Sequence, residues 1–358
     1  MLEEMKHYIV RLKFTSPVRF GADSSGIGIE NAQPFVHSDT LFSALCNAWA
    51  KYHILSSEEI ESCGSKFLLS STSFYSYDLG YFLPKPLIPC TWLNKLQTYE
   101  KKQLEKILKN SDWITSEMFL HWLNPNPPDK VFSEEPNMLS KKLEYGELYR
   151  EHIVAKHAQD RLTSASNLFH ETQYSFKNSD YNDPCGLYFF VSLKDDSFKE
   201  TFNQGLQALS QIGLGGERHS GFGRFEVDDF ANGFLCPIED DGSELAFLFQ
   251  DSSTSLKCLL SLSLPSDSEI NILQKVTESN IVHYDLTLRK GWTFSSINYH
   301  QMKRQTIYMF SEGSVFENDY CPVGRIEDVA PLDEQKNINF PHPIFRFGKS
   351  FSVPLKSY

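Results

Sequence analysis

Apolar and polar residues alternate through "HYIVRLKF" (7–14), the period of a half-buried strand, and Pro17 ends it. The period lengthens in "HSDTLFSALCNAWAKY" (37–52), where Leu41, Leu45 and Trp49 recur every four residues and predict a helix. Ser38 or Asp39 is placed to cap its N-terminus. "FLLSSTSFYSY" and "GYFLPKPLI" predict a hairpin around Asp78–Gly80. A polar helix over 97–112 and the breaker "NPNPPDK" (124–130) mark an insertion of about 90–150.

"EHIVAKHAQDRLTSAS" (151–166) starts as a strand and runs into the alternating "NLFHETQYSF", which predicts a projecting hairpin. "GLYFFVSL" (186–193) is apolar enough to be a fully buried strand. Ser197 and Glu200 have the spacing of a capping box, and Phe198, Phe202, Leu206, Leu209 and Ile212 follow at helical spacing. A glycine-rich loop comes next, then the strand "GRFEV" (223–227). The first half therefore predicts a β-α-β-β-α-β layer. The second offers strands at 256–264, 281–289, 304–310 and 343–349, with a helix near 266–278.

Length and charge refine this picture. A chain of 358 residues is long enough for two cores, and 41% hydrophobic with 22% charged residues is a globular balance. No run is long enough to span a membrane. Seven cysteines without a CxxC fit neither a zinc site nor a disulfide framework, so a reducing, cytoplasmic setting is expected. The net charge of −12 opposes generic nucleic-acid binding, so any such role needs a local patch. From Phe225 to Leu256 there are eight acids and no Lys or Arg, whereas 288–304 carries Arg289, Lys290, Lys303 and Arg304 without an acid. That shift places the domain boundary between 1–235 and 240–358.

The loop "GLGGERHSGFGRF" sets Gly213, Gly215, Gly216, Gly221 and Gly223 around Arg218, His219 and Ser220. Rossmann and Walker loops run from strand to glycines to helix, with phosphate on the helix N-terminus. Here the order is helix, glycines, strand, and no P-loop Lys is present. A nucleotide cofactor is excluded on that order. Closely spaced glycines leave backbone N–H groups free to cup an anion, with Arg218 adding charge. An ordinary tight turn with glycine C-caps accounts for one or two of these glycines.

This loop resembles the C-terminal glycine-rich loop of the RAMP superfamily, RNA-binding proteins of CRISPR effector complexes. With "HSDTLFSALCNAW" (37–49), "SPVRFG" (16–21), "QDRLTSAS" (159–166), "GLYFFV" (186–191) and "SEGSVF" (311–316), the chain is similar to the fourth Csm subunits of type III-A complexes. The resemblance implies an α+β fold of two tandem RRM-like (ferredoxin-like) domains. It implies a non-catalytic subunit that holds the 5′ repeat-derived handle of crRNA, near the target RNA. Its partners would be the large polymerase-like subunit and the backbone RAMP subunits.

The site residues carried over are His37, Ser38, Asp39 and Thr40 at the first helix, and Lys156, His157 and Arg161 on the hairpin and its exit. The glycine loop adds Gly213, Gly215, Gly216, Arg218, His219, Ser220, Gly221 and Gly223. Leu168–Phe176 would form a thumb whose Phe169, Tyr174 and Phe176 wedge or stack on bases, although such aromatics also suit a core. Some RAMP proteins are metal-independent endoribonucleases with a histidine base, for which His37 or His219 would serve here. A scaffold without RNA contact is the third reading, favoured by the charge. No metal ligand set, cofactor motif or catalytic carboxylate cluster is visible, and Glu239–Asp241 reads as an exposed loop.

Overall fold

The computed structural model describes residues 5–21, 31–96, 98–126, 148–160, 162–163, 165–177, 185–227, 233–250, 254–276, 281–293, 302–333, 338–340 and 342–356. Its first half is built on β1 (Lys6–Phe14), α1 (Ser38–Lys51), α2 (Ser57–Cys63), β2 (Ser73–Ser76), β3 (Gly80–Pro84), α3 (Thr98–Lys109) and β4 (Trp113–Thr115). There follow β5 (Tyr149–Gln159), β6 (Ser166–Phe176), β7 (Cys185–Leu193), α4 (Lys199–Ile212) and β8 (Phe225–Val227). The main sheet has the order β8-β1-β7-β2-β3-β4, antiparallel throughout. The apolar run 185–193 occupies its interior, and every residue of β7 is buried.

One face of this sheet is covered by α1 and α4, whose apolar stripes meet it in a single cluster with Leu12, Leu41, Leu45, Trp49, Phe189, Phe202 and Leu206. Gly205 sits mid-helix because a Cβ there would collide with the Trp49 indole, which donates Nε1–H to the Thr201 carbonyl at 3.1 Å. The close crossing of the two helices offsets the usual helix cost of glycine. Asp195 caps the approach to α4, accepting from the Ser197 N–H at 2.9 Å, while Glu200 accepts from Gln204. The expected Ser197–Glu200 box does not form, because a short 3₁₀ turn precedes the helix.

The second half contains β9 (Leu256–Leu259), α5 (Asp267–Leu273), β10 (Val282–His283), β11 (Leu286–Arg289) and β12 (Ile307–Phe310). It continues with β13 (Val315–Glu317), β14 (Gly324–Asp328), β15 (Phe345–Lys349) and β16 (Ser352–Pro354). Its four-stranded sheet runs β10-β13-β9-β16. β13, β14 and β16 have three to five residues, too short to show a period, and the sequence does not predict them.

A second cluster joins the halves. Ile9, Tyr188 and Phe190 from the main sheet pack with Trp92, Phe119 and Trp122 of the insertion and with Cys258, Leu260 and Val353. The β14–β15 pair reaches back to the first half, where buried Phe347 stacks on Phe42 at 4.7 Å. The insertion is therefore partly structural, since β4 extends the main sheet. The breaker residues 127–130 lie outside the described residues. The acidic run also turns partly inward: the Asp241 carboxylate is buried against Arg11 and Tyr81, and Glu244 accepts from Ser116. Asp228, Asp229 and Asp251 lie outside the described residues. Among the described residues no helix is long and apolar enough to cross a membrane.

Candidate nucleic-acid interface

The 213–223 loop closes against its own chain. Gly213, Gly215 and Gly223 have φ of +86°, +99° and +72°, a region L side chains rarely adopt. A Cβ on Gly213 would lie 2.6 Å from the Phe222 carbonyl oxygen, and one on Gly215 would lie 2.7 Å from that of Arg19. At Gly223 it would overlap the Leu214 carbonyl. The Gly216 and Gly223 N–H groups donate to Arg19 and Pro17 carbonyls, both at 2.8 Å. Three of the five glycines are thus required by the packing of the loop on itself and on Arg19 and Phe20. A ligand does not have to explain them.

The rim of the loop is different. Gly221 has open space around its Cα, Gly216 is only moderately crowded, and Arg218, His219 and Ser220 are exposed. No acceptor among the described residues meets the N–H of Gly215, Glu217, Arg218 or His219. Glu217 adopts the left-handed φ of +54° between them.

The β5–β6 hairpin stands beside this rim, in register from Tyr149↔Phe176 to Gln159↔Ser166. Lys156 faces the loop and donates to Glu171 at 3.0 Å and Glu217 at 3.2 Å. Partial burial works against its charge, but the two carboxylates hold its pKa above the ordinary range. Arg19 lies 3.9 Å from Glu171, and His219 lies 3.8 Å from Glu217. Sequence reasoning missed Glu171 and Glu217, since the register sets Lys156 opposite Phe169 and Glu217 comes from the loop. His157 projects from the opposite face of the strand, so it does not act with Lys156 as a clamp. Arg161 lies outside the described residues. Tyr174 and Phe176 are core residues, with Phe176 stacked on Phe14 at 5.2 Å, and Phe169 alone of the three thumb aromatics stays partly exposed.

The first-helix segment corrects a larger expectation. His37 is the N-cap of α1 without a side-chain capping bond, so neither Ser38 nor Asp39 caps it. His37 is buried, with Nδ1 at 2.7 Å from Glu312. Ser38 is buried and its Oγ accepts from the Leu262 N–H at 3.2 Å. Asp39 is buried between Arg289 (2.8 and 2.9 Å) and Arg346, and the Thr40 hydroxyl accepts from Arg289 at 2.9 Å. Burial alone would push the Asp39 carboxyl up, but the two guanidiniums hold it well below the usual range. These four side chains weld the halves together rather than facing a ligand. His37 is accordingly shielded from acting as a base on RNA.

Among the described residues no group of three His, Cys, Asp or Glu side chains could hold a metal ion. The rim offers backbone N–H groups, Arg218 and His219, a set able to meet an anion.

The RAMP superfamily pattern matches residues 11–226, and that of the CRISPR Csm4 C-terminal domain matches 252–355. The chain is 27% identical to the CRISPR system Cms protein Csm4 of Streptococcus thermophilus over 89% of this chain and 90% of the relative. It is 24% identical to the protein of that name from Methanocaldococcus jannaschii, over 98% of each. Its fold is similar to a chain of a Csm1-Csm4 cassette crystallised with cA4 (TM-score 0.56, 18% identity, 98% of this chain and 99% of the other). A chain of the Csm3-Csm4 subcomplex of the type III-A interference complex is similar at TM-score 0.54 and 19% identity, with the same coverage. The chain belongs to the RAMP superfamily and carries the C-terminal domain of the CRISPR Csm4 family.

Proposed function

We propose that this chain is a non-catalytic crRNA-binding subunit of a type III-A (Csm) complex, acting in the cytoplasm. It holds the 5′ handle on the rim of the glycine loop, with the β5–β6 hairpin beside the guide and target RNA. The observation that carries the reading is the rim itself: four N–H groups without an acceptor among the described residues, beside exposed Arg218 and next to the hairpin. Solved relatives are described as Csm1-Csm4 and Csm3-Csm4 assemblies, and on that basis the chain bridges the large subunit to the backbone subunits.

Two tandem RRM-like domains, 1–235 and 240–358, fit this role. The main sheet places its β-α-β-β-α-β strands in the order fourth, first, third, second, and β16-β9-β13-β10 repeats that order. The β14–β15 pair stands where the second domain would carry its second helix.

The test is co-purification from cells, followed by handle binding with Gly216→Trp and Arg218→Gln. Gly216 has an ordinary φ, and the tightest contact of a Cβ there is the flexible end of Arg19 at 3.3 Å, so the variant should fold and block the rim. Handle binding should fall with the melting temperature unchanged. Full binding by the folded double variant overturns the reading. Repeat RNA incubated with the chain, with and without magnesium, should stay intact. A cut abolished by His219→Ala would make the chain a nuclease.

A further inference from the structure

Away from the loop, a cavity of about 340 Å³ opens between α1, α2 and the segment entering β15. Its lining includes Phe42, Ser43 and Asn47 of α1, Glu61 of α2, and Arg304 and His342. Arg304 donates Nε–H to the Trp292 carbonyl at 3.0 Å, and its two Nη groups meet no acceptor among the described residues. Beside the cavity, Arg346 is 4% exposed, with Nε and Nη2 buried and without an acceptor among the described residues. Unsatisfied buried donors of this kind are uncommon and call for a partner.

The local charges are unbalanced. Arg289 and Arg346 meet at the carboxylate of Asp39, and Arg304 sits in their field. Arg304 itself meets no carboxylate among the described residues, and Glu61 is the one acid in the lining of the cavity. Burial and then repulsion from Arg346 lower the Arg304 pKa to about 10, so the cation is held at a cost. An anion with several acceptor oxygens suits these open donors, and a guanidinium fork matches phosphate geometry.

We propose that this cavity binds a phosphate group, with Arg304 as its direct cationic partner and the Arg289–Arg346 pair supplying the field behind it. Asn47 and Ser43 lie on the α1 side to share the remaining oxygens, while Glu61 repels the anion from the α2 side and confines it near Arg304. The phosphate comes either free from solution or as a phosphodiester of bound RNA. The site does not depend on the glycine-loop reading.

The experiment uses the full chain and inorganic phosphate, exchanged against chloride at constant ionic strength. Calorimetric titration should show saturable binding with a matching rise in melting temperature. Arg304→Gln should weaken that binding by roughly tenfold or more, the usual loss for a charge-assisted bond. Asn47→Asp, at an exposed position outside the arginine cluster, should weaken it through repulsion and serves if Arg304→Gln fails to fold. If RNA is the source, phosphate competes with single-stranded RNA on the wild type and not on Arg304→Gln. If free phosphate is the source, it leaves RNA binding unchanged. Arg218→Gln should lose RNA while keeping phosphate, which separates this site from the loop. Absence of saturable phosphate binding, or equal binding by the wild type and both cavity variants, overturns the proposal.

Discussion

The carboxylate of Asp39, in the first turn of α1, grips the Arg289 guanidinium at 2.8 and 2.9 Å although 250 residues separate them. Both side chains are buried, and Arg346 approaches the same carboxylate from β15. Removing the negative charge would take from two buried guanidiniums the carboxylate they meet at. Asp39→Asn should therefore destabilise the chain by about 3–5 kcal/mol, the range for breaking a buried pair. Urea denaturation at neutral pH measures it, and an unchanged midpoint would show that water already satisfies the arginines.

The same contact sets the acid response. Asp39 is held well below the usual carboxylate range, and Glu312 is also lowered, burial notwithstanding, by His37 and Ser71. A carboxyl depressed in the folded state is protonated first in the unfolded chain. Its contribution is complete above about pH 5 and is lost as pH falls below about 4. Denaturation midpoints of the wild type should drop across that window, and the Asp39→Asn curve should converge on them. Parallel curves down to pH 3 would locate the acid sensitivity elsewhere.

The loop glycines should separate by stability. Gly223→Ala should be the most costly, at more than about 2 kcal/mol, because it combines a left-handed φ with a backbone collision. Gly221→Ala, strained but in open space, should cost about 1 kcal/mol. Gly216→Ala should be nearly neutral. Melting temperatures of the three variants check the order, and an equal loss for all would mean that the rim packs as tightly as the base of the loop.

RNA binding by the isolated chain should be weak and gently salt-dependent. The net charge of −12 repels RNA at long range, and a short handle on one rim gives on the order of two to four phosphate contacts, about −0.7 in slope for each. Arg218→Gln should lower the slope by about 0.7. Lys156→Met should change it less, since Glu171 and Glu217 already neutralise that ammonium, and Glu217→Gln should tighten binding. Salt titrations of the four proteins provide the measurement. A steep slope for arbitrary RNA would contradict this account.

What the sequence determined by itself is local. The alternation of 7–14, the four-residue spacing of Leu41, Leu45 and Trp49, the apolar run at 186–193 and the spacing from Phe198 to Leu209 all became the expected elements, because period reports which face is buried. The glycine pattern marked the loop, and its exposed rim kept Arg218, His219 and Ser220 available. The tertiary structure decided which groups meet. No period in the chain pairs Asp39 with Arg289, sets Glu217 against Lys156, or lays Gly215 and Gly223 on residues 17–20. A polar residue has the same local signature whether it faces solvent or a buried partner from a distant segment. His37, Ser38 and Asp39 looked like a ligand-facing helix start for that reason. The second half covers them, and burying a carboxylate there required two arginines that only the folded chain brings near.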